Sequence, residues 1–460
     1  MKALKKLTAL ALASTMILSL AACGTSSSSS SKTDSSDPAQ SQTPAQAEGL
    51  EVNTTDEITL TFSWWGGDGR HKATEDAIAA FEKKYPNIHV ETTYAAWTGY
   101  ETTMGLKFTS NTQEDVMQIN WNWITNYSSD GSAFYDLNKV SNIIDLTQFP
   151  ENSLADCTLT GKLQAIPVSL TGRIFFWNKK TFDAAGLEIP KTYEDLKKAG
   201  QVFKEKLGDD YYPLALGEYD RMILMVFYLE SKYGKAWVED GKVNYTEEEV
   251  IEGIKFIQSM EDDHIIPSTK TIDGDGAEAI SSNPKWLDGR YAGIFEWDSS
   301  ASKYQPTDAN GNIDTSSVEL VVGDYFEDWG EYHGGFSKIS LGFAISEHTK
   351  HPAEAAALIQ FLLNEEEGIV PMASERGIPC SAIANKICTE KGILDELVNE
   401  ANSKVVAWTS FSLDPMFESS DLKSDTGTYK KAFGYLSYGE YTVEKAAQVL
   451  LEGIAEVYGY

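Results

Sequence analysis

Basic residues are scarce in this chain. It has 38 lysines and arginines against 69 aspartates and glutamates, and its formal net charge at pH 7 is −31. Proteins bind nucleic acids and anionic lipid surfaces through positively charged faces. The charge balance therefore excludes a general affinity for nucleic acid or for an anionic membrane surface, and it says little about an uncharged ligand.

Cysteine and histidine are also scarce, with four and six residues. If Cys23 is modified, as argued below, Cys157, Cys380 and Cys388 remain, and three thiols cannot all pair within one chain. We therefore predict no disulfide framework, while a bridge between Cys380 and Cys388 stays open. The histidines and cysteines show no metal-ligand spacing, so we expect no metal site and no cofactor.

Catalytic motifs are missing as well. The sequence contains neither a Gly-x-Ser-x-Gly nor a His-Glu-x-x-His motif. The run Gly67-Asp68-Gly69 begins like a dinucleotide fingerprint, but Lys72 occupies the position of the third glycine. Hydrolysis of glycosides needs only two opposed carboxyl groups, so an acidic chain leaves that activity open.

Long hydrophobic runs do not occur after the first 22 residues. Within them, Lys2, Lys5 and Lys6 precede an apolar segment closed by small residues, which is the layout of a secretory signal. Removal of residues 1–22 deletes three lysines and no acid, which takes the net charge from −31 to −34. We predict that the folded body is exported from the cell.

The end of that segment, Leu20-Ala21-Ala22-Cys23, resembles the bacterial lipoprotein signal. The resemblance implies that Cys23 becomes the first mature residue and carries a lipid that holds the protein on the extracellular face of the cell membrane. A plain signal peptide cleaved nearby is the alternative. Residues 23–56 are rich in Ser, Gln, Pro and Ala with almost nothing apolar to bury, which predicts a disordered tether.

The remaining residues predict an α/β fold. Apolar and polar residues alternate over 58–64 and 88–94, and apolar residues recur at helical spacing over 72–85 between them. Such a β-α-β unit favours a parallel sheet with crossover helices. About four hundred residues are enough for two such lobes. Further strands are predicted at 115–119, 174–177 and 291–295, and further helices at 193–206, 247–260, 353–363 and 443–458.

Aromatic side chains stand beside polar ones where predicted strands end. Trp64 and Trp65 precede Asp68 and Arg70 between the first strand and the first helix, and ligands of open α/β sheets bind outside such carboxyl ends. A flat ring suits the C–H face of a sugar, and polar groups suit its hydroxyls. The same combination marks Trp97, Asn120, Trp121, Asn122, Trp123, Tyr219, Trp286, Glu296 and Trp297 as candidate ligand-binding residues.

Burial is the alternative for each ring. Trp64 and Trp65 point to opposite faces if the strand continues, so one of them is expected in the core. Asp68 has a second interpretation as the cap of the following helix. We expect Trp329 and Trp408 to be buried without contacting a ligand.

The run Asn120-Trp121-Asn122-Trp123 has a similar ambiguity. The two tryptophans share one face and the two asparagines share the other. We expect one of these pairs to lie in a ligand cleft.

Several short motifs occur over residues 57–460: FSWWG at 62–66, AFEKKYPNI at 80–88, DVMQIN at 115–120, AIPV at 165–168, FWNK at 176–179, GLEIPKTYEDL at 186–196, GFAIS at 342–346 and AAALIQFL at 355–362. In this order they resemble the extracellular carbohydrate-binding lipoproteins of bacterial ABC importers, the maltose-binding-protein-like family. Each motif is weak alone, and their order behind a lipoprotein signal is specific. The sequence departs from the family pattern at Glu114, where proline is common, and at Trp177, where tyrosine is usual.

The resemblance implies two α/β lobes with a hinge and a ligand cleft between them. It places residues 57–168 plus 318–383 in the first lobe and 169–317 plus 384–460 in the second. The hinge crossings fall near Pro167–Arg173, Ser317 and Ile383. It also implies hydroxyl contacts from Arg173 and an aromatic platform at Tyr219. The cleft residues that it implies are Trp64, Trp65, Asp68, Arg70, Asn120, Trp121, Asn122, Trp123, Glu296 and Trp297.

The function implied is a monomeric, non-enzymatic receptor that closes on a sugar and delivers it to an ABC permease. Several aromatic rings need several sugar faces, so we expect a neutral oligosaccharide rather than a monosaccharide. An anchored glycoside hydrolase is the alternative class. A passive surface adhesin is disfavoured because the chain has no internal repeat of useful length.

Overall fold

A computed structural model describes residues 50–97, 99–276, 279–308 and 312–460 of the chain. The predicted signal segment, Cys23 and most of the predicted tether lie outside these residues. In the described part, no helix combines the length and the apolarity needed to cross a membrane.

The predicted β-α-β unit is confirmed. β1 (Ile58–Trp65) pairs in parallel with β2 (Ile88–Ala95), and α1 (Asp68–Lys84) connects them. The buried residues of α1 recur at helical spacing and include Ala77, Ile78 and Phe81. A parallel pair needs a crossover of this kind, so the order of these elements follows from the local pattern.

The described part of the chain contains ten further strands. They are β3 (Val116–Asn120), β4 (Thr158–Leu159), β5 (Lys162–Leu163), β6 (Ile166–Asn178), β7 (Val238–Glu239), β8 (Lys242–Val243), β9 (Gly293–Trp297), β10 (Leu320–Val322), β11 (Phe336–Ile345) and β12 (Phe411–Ser412).

Among the residues that the structure describes, sixteen further α-helices accompany the strands. They are α2 (Tyr100–Ser110), α3 (Trp123–Tyr127), α4 (Glu151–Asp156), α5 (Lys179–Ala185), α6 (Tyr193–Lys206), α7 (Glu218–Tyr233), α8 (Glu247–Asp262), α9 (Thr269–Gly274), α10 (Pro284–Leu287), α11 (Pro352–Asn364), α12 (Glu366–Met372), α13 (Ala382–Lys391), α14 (Glu396–Trp408), α15 (Ser420–Lys423), α16 (Tyr435–Ser437) and α17 (Val443–Tyr458).

The long strand β6 connects two groups of strands. Its first half, up to Gly172, pairs antiparallel with β11, which continues through β3 and β1 to β2. Its second half, from Arg173, pairs antiparallel with β9 and β10. The change of partners between Gly172 and Arg173 falls inside the hinge crossing expected at Pro167–Arg173, and we propose that the two groups of strands are the cores of the two lobes.

The packing of strands and helices moves the other two expected hinge crossings to later positions in the chain. Val321 of β10 lies opposite Trp177 in the second group, although the sequence boundary at 318 assigns it to the first lobe. Ala384 and Cys388 of α13 pack with Ile369 of α12, although the boundary at 384 assigns them to the second lobe. We therefore propose crossings between β10 and β11 and between α13 and α14.

The last residues of the predicted tether contact the folded body. The backbone N–H of Asn53 donates to the Oε1 of Glu354 at 2.8 Å, and Asn87 donates to the carbonyl of Asn53 at 3.0 Å. The carbonyl of Leu50 accepts a hydrogen bond from Asn142 at 2.8 Å. These contacts include Leu50 and Asn53 in the folded body, which therefore starts earlier than the expected residue 57.

The three cysteines of the described part are free thiols. Cys380 and Cys388, whose pairing the sequence left open, are not bonded to each other. Burial raises the pKa of Cys380 to about 12 and also raises that of Cys157, so neither thiol is reactive at neutral pH.

Candidate functional site

A cavity of about 520 Å³ lies between the ends of β3 and α2 on one side and the segment after β12 on the other. Its size is within the range of small-molecule sites. The first side is formed by Trp97, Glu101, Asn120, Asn122 and Asn126. The second is formed by Pro415, Met416, Glu418, Ser419, Ser420, Lys423 and Ser424. We call this cavity the cleft.

The cleft presents one large exposed ring, that of Trp97, which is 42% exposed. Its centroid lies 5.0 Å from that of Trp65, which is partly buried and also packs against Tyr100 at 5.6 Å and Trp123 at 5.5 Å. The neighbouring rings fix the position of Trp97 while leaving part of its surface free. Such a ring can receive the apolar face of a ligand.

The asparagines of the Asn120–Trp123 run line the cleft, and its tryptophans do not. Trp121 is 6% exposed and donates to the carbonyl of Asp156 at 2.8 Å, while Trp123 is fully buried and donates to Glu101 at 2.9 Å. The Oδ1 of Asn122 is buried and accepts no hydrogen bond from any described residue. A buried acceptor without a partner is unfavourable, so Asn122 brings to the cleft wall a hydrogen-bonding capacity that no described residue uses.

Trp64 and Trp286 lie in the core. Both are fully buried; Trp64 donates to the Nδ1 of His71 at 3.1 Å and Trp286 donates to the carbonyl of Tyr304 at 3.1 Å. The rings of Trp64 and Trp65 point to opposite faces of β1, as the alternation requires. The structure gives Trp64 and Trp286 no exposed ring face, and we leave both out of the proposed site. Trp329 and Trp408 are buried as expected.

Asp68 and Arg70 support the loop beside the cleft. Asp68 is exposed in the first turn of α1, and the N-cap position is occupied by Gly67 rather than by Asp68. Arg70 donates to the carbonyl of Trp65 at 3.1 Å and to that of Glu375 at 2.9 Å. Burial lowers the pKa of Arg70, and Glu375 opposes that shift. Arg70 therefore ties the end of β1 to the segment before α13.

Arg173 of β6 forms a buried ion-pair cluster. Its guanidinium donates to Asp220 at 2.8 Å and lies 3.0 Å from Glu296. Burial lowers the pKa of Arg173, but the carboxylates of Glu296 and Asp220 outweigh that effect, and its pKa is raised. Burial raises the pKa of Asp220 to about 6 against the opposing effect of Arg173.

A second charged cluster joins this one to the cleft. Glu418 accepts from Lys338 and lies 2.8 Å from the Nζ of Lys423, and Tyr219 donates to its Oε1 at 3.0 Å. Burial alone would raise the pKa of Glu418, but the two ammonium groups hold it well below its ordinary value. Glu418 is therefore charged at neutral pH and fixes Lys423, whose side chain is 41% exposed.

The described residues that line the cleft do not include three of the expected ligand-binding residues, Tyr219, Glu296 and Trp297. All three are partly buried. Tyr219 and Trp297 instead lie beneath cations, with Lys423 4.6 Å from the Tyr219 centroid and Arg173 4.8 Å from the Trp297 centroid. The structure thus places them next to the charged clusters rather than on the cleft surface.

The sequence interpretation missed one whole side of the cleft. Residues 415–424 follow β12 and include α15, more than 290 positions after Asn120. The only signal in the sequence is that a buried aromatic, Phe417, precedes closely spaced serines and charged residues. That pattern is typical of any surface loop.

Comparison with known proteins identifies the fold. Residues 67–369 match the family model of bacterial extracellular solute-binding proteins. The periplasmic solute-binding protein ECA2210 of Pectobacterium atrosepticum is 33% identical over 87% of this chain and 99% of its own, with a TM-score of 0.80. A periplasmic oligogalacturonide-binding protein of Yersinia enterocolitica, solved with saturated digalacturonic acid, is 35% identical over 87% of this chain and 99% of its own, with a TM-score of 0.76.

A curated relative gives the same result. An uncharacterised ABC transporter extracellular-binding protein of Pyrococcus horikoshii is 24% identical over 333 residues, which are 69% of this chain and 72% of that protein. The expected two-lobed α/β fold is confirmed by the structural relatives. The family and these relatives are binding proteins, so the hydrolase alternative is set aside. The chain belongs to the family of bacterial extracellular solute-binding proteins, the receptors that serve ABC transporters.

Proposed function

We propose that this protein is a lipid-anchored receptor that captures neutral oligosaccharides in the cleft by domain closure and delivers them to an ABC permease. The observation that carries the proposal is the pairing, on one wall, of the exposed Trp97 ring with the amide side chain of Asn122. A sugar presents both an apolar face and hydroxyl donors, which these two groups complement.

The rest of the cleft surface supports a polyhydroxylated ligand. Asn120 and Asn126 add amide groups on the same wall, and Ser419, Ser420 and Ser424 add hydroxyls on the opposite wall. Amides and hydroxyls both donate and accept, which is what a set of sugar hydroxyls requires. The cavity of about 520 Å³ has room for more than one sugar ring.

The balance of charge around the cleft supports a neutral ligand. Arg173 is paired with Asp220 and Glu296, and Lys338 and Lys423 share Glu418. Three cations thus face three carboxylates. An anionic ligand gains most from a cation that has no carboxylate beside it; Arg173 has two such partners, and Lys338 and Lys423 share one.

Closure follows from the two walls of the cleft. One wall belongs to the group of strands around β1 and β3, and the other comes from residues 415–424. A ligand that contacts both walls stabilises the closed arrangement only by the contacts that it adds there. The strand β6 is the natural hinge, because its two halves pair with different strands.

Lipid anchoring rests on the sequence, since Cys23 lies outside the described residues. With Cys23→Ala we expect the folded protein in the medium instead of the membrane fraction. A mutant that stays in the membrane fraction would contradict anchoring at Cys23 and leave the ligand proposal untouched. We also propose that the receptor is a monomer, which light scattering of the purified protein tests directly.

An acidic oligosaccharide is the second candidate. The Yersinia relative binds oligogalacturonide, and the ammonium group of Lys423 is exposed on the cleft wall of this chain. A uronate carboxylate could approach Lys423 from the cleft. The two candidates differ in their dependence on salt, because a charged ligand loses affinity as ionic strength rises and an uncharged one does not.

Calorimetry with the purified protein separates the candidates. The ligands are neutral di- to hexasaccharides of several linkages and saturated digalacturonic acid, each at low and high salt. We expect binding of a neutral series with little dependence on salt, and incubation should return the sugars intact. Binding of digalacturonate alone would overturn the neutral proposal, and binding of no sugar would overturn both.

A matched pair of variants sharpens this test. Lys423 and Lys391 are each 41% exposed and each lies 2.8 Å from a glutamate, but only Lys423 lines the cleft. Under the neutral proposal, Lys423→Gln changes affinity by less than about threefold. Under the acidic alternative it lowers digalacturonate affinity by about tenfold or more, while Lys391→Gln has no effect.

A further inference from the structure

A second cavity, of about 430 Å³, lies beside the cleft and has no part in the function proposed so far. Its lining differs from that of the cleft in having two exposed tyrosines above a charged rim. We call it the tyrosine pocket. Its principal lining residues are Asp273, Asp425, Lys430, Tyr435, Tyr438 and Glu440.

The chain connects the tyrosine pocket to the cleft at two places. Ser424 lines the cleft and Asp425, the next residue, lines the pocket; the Cα atoms of neighbouring residues are about 3.8 Å apart. At the start of α7, Glu218 lies 2.8 Å from the Nζ of Lys430 in the pocket. The following residue, Tyr219, donates to the cleft residue Glu418. The two cavities are therefore neighbours.

Both tyrosines of the pocket are held in place while part of each remains free. Tyr435 and Tyr438 are each 43% exposed. The hydroxyl of Tyr438 donates to Asp273 at 2.7 Å, and the ring of Tyr435 lies 5.0 Å from that of Tyr441. A ring fixed in this way loses little conformational freedom when a ligand covers it, which favours binding.

The polar rim of the pocket is fixed as well. The ammonium group of Lys430 lies 2.8 Å from Glu218 and 3.9 Å from Asp273, so it is held between two carboxylates. Carboxylates around an aromatic face accept hydrogen bonds from sugar hydroxyls. The rim therefore offers acceptors next to two ring faces, the same combination that the cleft offers.

The backbone of the pocket is unusual. Residues Lys430–Gly434 form a π-helix that leads into α16, and Lys430, Lys431 and Gly434 all line the pocket. Such wide turns are rare and are found frequently at functional sites. Gly434 lies beside Glu218 of α7, where a Cβ would make an ordinary contact of 3.5 Å with the Oε1 of Glu218.

We propose that the tyrosine pocket is a distal subsite for oligosaccharides, which binds the far end of a chain whose near end lies in the cleft. The inference rests on the proposed function. It goes beyond that function by assigning a length preference: chains long enough to reach both cavities bind more tightly than short ones. The ligand of the pocket is one or two terminal sugar rings that stack on Tyr435 and Tyr438.

The test measures affinity against chain length. A homologous series from disaccharide to hexasaccharide, of the linkage that the protein binds, is titrated by calorimetry into the wild type and into Tyr435→Ala/Tyr438→Ala. We expect wild-type affinity to rise by about tenfold or more between the short and the long chains. The double variant should lose that rise and bind the disaccharide as the wild type does.

Two further variants serve as controls. Tyr332→Ala removes a tyrosine that is 50% exposed and lines neither cavity, and it should keep the full dependence on length. Tyr438→Phe removes the hydrogen bond to Asp273 but keeps the ring, and it should keep most of the affinity for long chains. Thermal melting of each variant verifies that it is folded.

The outcomes are distinguishable. If the wild type binds no sugar of any length, the proposed function fails. If it binds sugars with an affinity that does not depend on length, or if the double variant weakens all lengths equally, the receptor stands and the distal subsite is wrong. A double variant that binds every length normally but no longer supports uptake would assign the pocket to permease docking and overturn the subsite.

Discussion

The guanidinium carbon of Arg173 lies 4.8 Å from the centroid of the Trp297 ring, and the Nζ of Lys338 lies 4.6 Å from the same centroid. Arg173 belongs to the cluster with Asp220 and Glu296, and Lys338 belongs to the one with Glu418. The single ring of Trp297 thus contacts both charged clusters. We infer that the Trp297 ring stabilises the cations next to the cleft, instead of stacking on a sugar as the sequence suggested.

The first prediction follows from this contact. Trp297→Ala removes two cation–π contacts and a partly buried ring, and we expect the free energy of unfolding to fall by about 2–3 kcal/mol. Trp297→Phe keeps a ring beneath the cations and should recover most of the loss. Urea midpoints of the three proteins provide the measurement. An unchanged midpoint together with lost sugar affinity would return Trp297 to the ligand surface.

The second prediction compares two tryptophans of one cluster. Trp97 is 42% exposed on the cleft wall, whereas Trp123 is fully buried and packs against the same neighbour, Trp65. Trp97→Ala should weaken sugar binding by about 10- to 150-fold, the equivalent of about 1.5–3 kcal/mol of lost apolar burial, with little change in stability. Trp123→Ala should instead lower the free energy of unfolding by about 3–5 kcal/mol.

Both properties are measured on the same samples, by calorimetry for affinity and by urea unfolding for stability. If Trp97→Ala unfolds at a much lower urea concentration while its folded fraction binds sugar normally, Trp97 has a structural role. The assignment of the first cleft wall would then be wrong.

Elements with strong local patterns could be predicted from the sequence. Helix α6 was predicted at 193–206 and spans Tyr193–Lys206 in the structure. Its start is defined by a capping box between Thr192 and Asp195, and its apolar residues recur at helical spacing. The strands β1 and β2 were predictable for the same reason, because two-residue alternation depends only on neighbours in sequence.

The faces of these elements were predictable, but their surroundings were not. Alternation indicates that Trp64 and Trp65 point in opposite directions, without saying which direction is the core. Packing decides which ring is in the core: the ring centroids of Trp64 and of Tyr94 in β2 are 4.9 Å apart, and the ring of Trp64 is fully buried. The sequence also shows the charges of Arg173 and Glu418 but not their partners, which come from distant segments.

The second wall of the cleft could not be predicted for the same reason. Residues 415–424 reach the cleft because β12 pairs with β11, as Phe411 lies opposite Phe336. A two-residue strand leaves no periodic signal. Contacts between segments so far apart in sequence depend on the complete fold.

A third prediction concerns Gly335, which has a φ of +85°. A Cβ at this position would lie 2.3 Å from the ring of Phe227, which is fully buried. Gly335→Ala therefore combines left-handed strain of about 1–2 kcal/mol with overpacking of about 1–3 kcal/mol. Gly392→Ala is the control, because Gly392 has a φ of +62° but open space around it. Stability is measured by urea unfolding. An equal loss of stability in both variants would contradict the contribution that we assign to overpacking against Phe227.

The fourth prediction concerns Glu230, a carboxyl group of α7 that is 1% exposed. Its Oε1 accepts from the backbone N–H of Trp237 at 2.9 Å, and its Oε2 has no hydrogen-bond partner among the described residues. Burial raises the pKa of Glu230 from 4.5 to about 8. The folded protein therefore keeps a proton at neutral pH that the unfolded chain releases.

The sign of the pH dependence follows from that difference. Because the folded state binds the extra proton, the free energy of unfolding falls as pH rises from about 4.5 to about 8 and is level above that range. Between pH 6.5 and 8 we expect the wild type to lose about 1–2 kcal/mol relative to Glu230→Gln, since a full proton is worth about 1.4 kcal/mol per pH unit. Glu247→Gln, at an exposed position of α8, should behave as the wild type. Urea midpoints at three pH values provide the test, and parallel curves for the wild type and Glu230→Gln would show that Glu230 is ionised in the folded protein.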